Sequence, residues 1–303
     1  MDQNGRKRKR RRNRFRLPAV DRRRLLLMIV AAILIISVIA SILSRCSNEE
    51  SEGPEISAED SVIGWETIPE EYIVPANKYD SAKFIQNGNF MTYEDENYTS
   101  EQGIDVSDHN ETVDWKAVKD QGITFAYIRA GYRGYTEGGL IPDQLFDQNM
   151  RGALDNGIKV GVYFFSQAIN EEEAREEARF VLDKIKGYHL TLPIFYDPEF
   201  ITSDNARTKD LDYAQFTANT IAFCDTIRDA GYAPGIYCNK EWQDKVLDMS
   251  QFEDITTWFA GYSEKPQSQY HFEYWQYTHT AKIDGFPDGV TVDMNIQLIP
   301  KER

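Results

Sequence analysis

From residue 103 onward, short apolar runs alternate with amphipathic stretches, and this alternation limits the chain to very few architectures. Strands are expected at residues 103–107, 124–130, 158–165, 193–199, 234–238, 256–260, 272–277 and 291–296. Helices are expected at 114–121, 143–155, 171–186 and 212–230, with a short one near 240–248. The 171–186 stretch opens on Glu171, Glu172 and Glu173 and closes on lysines, which matches the helix macrodipole. Helix and strand alternate through the first five pairs, and three strands follow with little helix between them. Alternation with right-handed crossovers gives parallel strands covered by helices. Eight such strands suggest a closed α/β barrel, whose reactive groups sit at the carboxyl ends of the strands.

The residues before this region are of a different kind. The chain has 303 residues and a net charge of -15, but the charge is split. Residues 1–24 hold twelve Lys/Arg and two Asp/Glu, and the rest holds 22 basic and 47 acidic residues. Between the two parts lie 19 uncharged residues, 25–43. At about 1.5 Å per residue they make roughly 28 Å of helix, close to the hydrocarbon thickness of a bilayer. A cleavable signal peptide is the rival reading, but its apolar core is usually about 7–15 residues and precedes a small-x-small site. Here the run is longer and ends in Ser44-Arg45-Cys46. An uncleaved single-pass anchor in the cell membrane is therefore expected. The basic tail is the positive-inside signal that keeps the N-terminus in the cytoplasm, and it contacts anionic lipid headgroups rather than nucleic acid. Residues 44–82 are acidic and rich in Ser, Glu and Pro, and read as a flexible stalk. Residues 83–102 read as a lead-in hairpin around Asn87-Gly88, and 103–303 as the main domain outside the cell.

Polar residues that end apolar runs are the candidates for chemistry: Asp105, Arg129, Gln167, Asp197, Glu199, Gln276 and Asp293. Asp197-Pro198-Glu199 is the sharpest of these. Residues i and i+2 of a strand project from one face, about 6.6 Å apart along the chain. Two carboxyls so placed cannot both ionise freely, so one is expected to stay protonated beside a carboxylate. Glycoside hydrolysis requires such a pair. An Asp-x-Glu alone is equally a structural ion pair with Arg129 or a turn cap. Asp105 and Asp293 strengthen the case, because the first and last strands of a closed barrel are neighbours.

Aromatics gather near the same strand ends: Tyr163, Tyr196, Tyr237, Trp258, Tyr262, Trp275 and Tyr277. Any one of them is more often core filling, but their joint position favours a groove that packs sugar faces. No cofactor or metal is expected, since His109 lacks ligand spacing and the three cysteines, 46, 224 and 238, form no CxxC. Cys224 and Cys238 read as small core residues, with a disulfide between them left open.

The segments GIDVSDHNETVDW, FAYIRAGYRGY, FDQNMRGALDNGIKVGVYFFSQA, LPIFYDPEF, GYAPGIYCN, WFAGY, YWQYTHTAKIDGF and VDMN resemble, in order, glycoside hydrolase family 25, the N-acetylmuramidases or Chalaropsis-type lysozymes. The resemblance runs from about Gly103 to Leu298. It implies a flattened, TIM-like β/α barrel of eight strands and about five helices. It also implies cleavage of peptidoglycan glycan strands at the β-1,4 bond between N-acetylmuramic acid and N-acetylglucosamine. By motif, Glu199 matches the family's acid, Asp197 its partner carboxylate, and Asp105 and Asp293 the flanking acidic positions. The chain departs from the family at Asp108-His109-Asn110-Glu111, at Arg129-Ala130-Gly131-Tyr132 and at Pro198, which bears on subsite preference. The alternatives are a glycosidase acting on chitin-like glycans and a non-catalytic wall-binding protein on the same fold. Presence of all four acids favours an enzyme.

Overall fold

The computed structural model describes residues 75–301. A hairpin, β1 (Phe84–Asn87) and β2 (Phe90–Tyr93), precedes the barrel. The barrel then runs β3 (Tyr98–Val106), α1 (Trp115–Asp120), β4 (Ile123–Arg133), β5 (Leu140–Pro142), α2 (Phe146–Asp155) and β6 (Lys159–Ser166). It continues with α3 (Glu171–Lys184), β7 (Ile194–Pro198), α4 (Tyr213–Asp229), β8 (Pro234–Asn239), β9 (Thr256–Ala260), β10 (Tyr274–Ala281) and β11 (Val292–Pro300). Strand order is β3-β11-β10-β9-β8-β7-β6-β4, and a β3–β4 pairing closes the ring at eight strands, with β5 as an extra edge on β4. The short helix expected near 240–248 is a single π-helical stretch, Trp242–Val246, beside the four α-helices of the described residues.

Three features depart from the simple alternating barrel. The last strand, β11, runs antiparallel to both neighbours, β10 and β3. Its connection from β10 is short and holds no helix, so the chain turns back instead of crossing over. Asp293 therefore reaches the barrel mouth from the start of its strand and not from a carboxyl end. Second, β3 begins at Tyr98 rather than residue 103. Its half-buried segment 98–102 pairs with residues 296–300 of β11, and its polar composition hid it from the apolar pattern.

Third, aromatic rings fill the barrel where branched aliphatics are usual. Phe125, Tyr127, Tyr163, Phe195, Trp258 and Tyr274 form an inner cluster with Leu192. Three glycines make room for them. Gly103 pairs with Phe125, Gly161 with Tyr127 and Gly235 with Phe195, and a Cβ at any of the three would collide with the facing ring.

A second, larger core lies between the strands and the helices. Among the described residues, β10, β11 and the start of β3 are covered by the hairpin and the segment before it rather than by a helix. Phe84, Met91 and Tyr93 are each 1% exposed, and Phe84 packs edge-on against Trp275. Tyr79 is buried among Phe84, Tyr93, Tyr98 and Phe272, and its hydroxyl donates to the Phe272 carbonyl at 2.7 Å. Ala76 bridges to Tyr270. The stalk boundary expected at residue 82 thus falls inside packed structure. The basic tail 1–24, the apolar run 25–43 and most of the stalk lie outside the described residues. Among the described residues no helix is long and apolar enough to cross a membrane.

Candidate active site

A cavity of about 530 Å³ opens at the mouth of the barrel. All four candidate acids, Asp105, Asp197, Glu199 and Asp293, line it. Each arrives by strand geometry. Asp197 sits on β7 and Glu199 directly follows the strand, so the two share a face. Asp105 and Asp293 are register partners across the antiparallel β3–β11 pair.

Gln276 organises the acidic side. Its Oε1 accepts from the hydroxyls of Tyr237 at 2.9 Å and Tyr262 at 2.8 Å. Its Nε2 donates to Asp105 at 2.8 Å and to Asp293 at 3.1 Å. Two phenols on one end and two carboxylates on the other fix which way the amide points. Asn295 is fixed likewise. The indole N–H of Trp258, a donor only, meets its Oδ1 at 2.8 Å, so its Nδ2 turns to Asp105 at 2.8 Å. Sequence reading missed Asn295, although it stands two residues after Asp293 and must share its face.

Burial raises all four acids. Asp105 is pushed up to about 6, with the two amide donors working against burial. Asp293 is pushed up to about 8 by burial and then by the charges of Asp105 and Glu199. Burial and Asp105 raise Glu199. Burial, Glu199 and Asp105 raise Asp197 well above the usual range, and Arg129 opposes them. Asp197 Oδ1 is buried without a hydrogen-bond partner. In the free site the best-supported negative charge is therefore on Asp105, not on Asp197 as the Asp-x-Glu spacing alone suggests.

This has a consequence for stability. A carboxyl whose folded pKa is raised binds its proton more tightly when folded, so its contribution is present below the unfolded pKa and is lost as pH rises through the folded one. For Asp105 the window is roughly pH 4–6 and for Asp293 roughly pH 4–8. Glu177, buried behind the barrel and pushed up to about 7, adds in the same direction. Glu101 and Glu173 are lowered, and they lose stability only as pH falls below the ordinary carboxylate range. The melting temperature is expected to peak in mild acid and fall towards pH 8, and Asp293→Asn is expected to flatten that fall. Thermal melts from pH 4 to 9 check this; equal slopes in variant and wild type would contradict it.

The aromatic and polar candidates divide by strand parity. Tyr163, Tyr237, Trp258, Gln276 and Arg129 line the cavity. Tyr262 stands at its rim, half exposed, with its hydroxyl on Gln276 and its ring on His279 at 4.3 Å between centroids. Tyr196 and Trp275 do not reach the cavity. Asp197 and Gln276 point inward, so their immediate neighbours must point outward. Tyr196 packs on Phe223 of α4 and shares a hydrogen bond with Ser166, and Trp275 lies under the hairpin with its N–H on Gly261. Tyr277, also outward, bonds the Asn89 carbonyl. Gln167 has inward parity but lies past the end of β6, and its side chain turns back onto the Glu199 backbone.

Arg129 does not pair with Asp197. Its Nε and Nη2 meet the buried Asp143 at 3.0 and 2.9 Å, and Nη2 meets Asp108 at 2.6 Å. Neither Asp108 nor Asp143 was singled out as a partner of Arg129, because neither ends an apolar run: Asp108 opens a short 3-10 helix and Asp143 precedes α2. Cys224 and Cys238 are free and buried. Among the described residues no cluster of His, Cys, Asp and Glu has metal-binding geometry.

Comparison with known proteins agrees with this site. The family model described as "Glycosyl hydrolases family 25" matches residues 104–286, which take in the acids of β3 and β7. The autolytic lysozyme of Clostridium acetobutylicum is 25% identical over 193 residues, 63% of this chain and 55% of that protein. Lysozyme M1 of Streptomyces globisporus is 26% identical over 197 residues, 61% of this chain and 64% of that protein. The matched stretch thus spans less than two thirds of these relatives' own length. The modular autolysin LytC of Streptococcus pneumoniae, solved with a synthetic peptidoglycan ligand, shares the fold with a TM-score of 0.60 at 23% identity, covering 75% of this chain and 52% of that one. Since the family match takes in more than half of the residues, with Asp105, Asp197 and Glu199 among them, the chain belongs to glycosyl hydrolases family 25.

Proposed function

We propose that this chain is a peptidoglycan hydrolase, an N-acetylmuramidase that cleaves the β-1,4 bond between N-acetylmuramic acid and N-acetylglucosamine. The observation that carries the reading is the gathering of Asp105, Asp197, Glu199 and Asp293 in one aromatic-walled cavity. Lysozymes among the relatives support the choice of substrate over chitin.

Glu199, whose carboxyl burial and the charge of Asp105 raise above the ordinary range, donates its proton to the glycosidic oxygen as the bond breaks. Asp197 offers an unpartnered buried oxygen, Oδ1, that an acetamido N–H of the substrate would satisfy. That donor brings the Asp197 pKa down, so substrate binding and ionisation of Asp197 are coupled. The ionised carboxylate then orients the acetamido group, whose carbonyl oxygen attacks the anomeric carbon. Water opens the resulting ring, giving its proton to the now anionic Glu199, and the configuration is retained. Asp105, tied with Asp293 to Gln276, supplies the negative field that stabilises the oxocarbenium-like charge. Tyr163, Tyr237 and Trp258 line the cavity, and the half-exposed ring of Tyr262 at the rim is open to a sugar face.

The same proposal places the catalytic domain outside the cell. The uncharged run 25–43 spans the membrane, and the basic tail stays inside against anionic lipid. Protease added to cells stripped of wall should then remove the domain and spare the tail.

The activity is tested by incubating the protein with purified peptidoglycan, reducing the new ends with borohydride and analysing them by mass. Muramicitol ends are expected. Glucosaminitol ends, cleavage of chitin alone, or binding without release would overturn the assignment.

A further inference from the structure

Glu199 lies one residue beyond β7, whose last ladder partner is Pro198. Something other than the sheet must hold it. Its main-chain carbonyl accepts from Gln167 Nε2 at 2.8 Å. The same Nε2 donates to the Ser166 carbonyl at 2.8 Å, and Gln167 Oε1 accepts from the Thr208 hydroxyl at 3.0 Å. Gln167 is 1% exposed and absent from the cavity wall. Its own carbonyl accepts from Arg207 Nη1 at 3.1 Å, and Arg207 grips both oxygens of Glu173 on α3, at 2.6 and 2.8 Å. The loop 199–211 thus leaves the barrel at Glu199 and comes back, at Arg207 and Thr208, to the side chain that holds Glu199.

Resting on the acid role proposed for Glu199, we infer that Gln167 is a positioning residue that locks the Glu199 backbone at the end of β6, with Thr208 and Arg207 as its supports. Three properties single it out. An amide is required, because the side chain donates to two carbonyls and accepts from a hydroxyl at once. An ionised Glu in its place has no proton to donate, and a Met of similar shape has neither function. The site is also buried, so water cannot replace a lost partner without opening the loop. Finally, general acid catalysis is sensitive to placement: an error of about 1 Å costs on the order of a hundredfold.

Gln167 does not touch substrate in this arrangement, so its loss should leave the ground-state complex largely intact. The effect belongs in kcat. It also belongs in the pH profile, since freeing the loop lets water reach the Glu199 carboxyl and lowers a pKa that burial had raised. The basic limb of kcat reports the proton on the acid, so it moves to lower pH.

The experiment uses the full chain in detergent, with Gln167→Met and Thr208→Val beside wild type. Gln167→Met is expected to lower kcat on peptidoglycan about ten- to a hundredfold, with KM within about twofold and the basic limb shifted down. Thr208→Val, which removes one bond and leaves Gln167 in place, is expected to move kcat and the limb the same way by less. Carbon-13 titration of the glutamate carboxyls, with Glu199 assigned by its absence in Glu199→Gln, should show a lower Glu199 pKa in Gln167→Met than in wild type. Wild-type kcat, limb and titration in both variants would overturn the inference. So would loss of activity in Gln167→Met that merely tracks loss of fold while Thr208→Val matches wild type throughout. Should the wild-type chain fail to cut peptidoglycan, the functional reading falls, and the Glu199 titration still decides whether Gln167 holds that residue.

Discussion

Glu199→Gln is expected to lower turnover of peptidoglycan about a hundredfold or more while leaving binding nearly unchanged. The amide keeps the shape of the acid and its place beside Asp105, but has no acidic proton for the departing oxygen. Nothing else in the cavity is placed to take over. Asp197 is next on the strand, but its role in the proposed chemistry needs it ionised against the acetamido group. Asp105 is held by two amides that favour its ionised form and leave it no free proton to deliver. Where Glu199 is ionised its charge raises Asp197 and Asp293, so the neutral amide should leave the variant at least as stable as wild type near neutral pH. A steady-state assay with a binding measurement on insoluble peptidoglycan separates the two effects. Wild-type turnover in Glu199→Gln would remove this site from the mechanism altogether. Asp197→Asn should also cut turnover, and Asp105→Asn or Asp293→Asn should cut it less.

A fragment that begins at residue 103 is expected not to fold, although the family match begins at 104, whereas one that begins at residue 75 is expected to fold. The short fragment lacks Tyr79, Phe84, Met91 and Tyr93, which are 8, 1, 1 and 1% exposed. Burying a large apolar side chain contributes about 1.5–3 kcal/mol, so the four together contribute roughly 6–12 kcal/mol. That is comparable with the whole stability of an ordinary domain, about 5–15 kcal/mol. The same cut removes segment 98–102 of β3 and leaves residues 296–300 of β11 without their ladder. Circular dichroism and a melting curve decide the matter. A cooperative melt of the 103–303 fragment like that of the longer one would show the hairpin to be dispensable.

The sequence pattern conveys strand number, helix positions and the acidic set because each rests on local periodicity or on residue types that strands rarely hold without cause. It fails where the information is tertiary. The reversal of β11 depends on a short connection whose direction no apolar period records. Segment 98–102 of β3 is polar and half buried, so only its pairing reveals it as strand. Tyr196 and Trp275 were expected in the groove by nearness to strand ends, yet the parity set by Asp197 and Gln276 turns both outward. Applied strictly, that parity excludes them, and the parity of Asp293 points to Asn295, which is buried against Asp105 behind the cavity wall. The protonation order is the subtlest miss. An Asp-x-Glu pair leads one to expect a charged Asp197, but the two amides that decide the question come from β10 and β11, far away in sequence.

Real-time proton NMR of a defined muramyl oligosaccharide tests the central claim most directly, because it reports at once which bond breaks and on which face the product forms. Acetamido participation guided by Asp197, with Glu199 as the acid, predicts a new muramic acid reducing end that appears first as the β-anomer and then mutarotates. An α-anomer released first, or no new muramic acid end at all, would contradict the account.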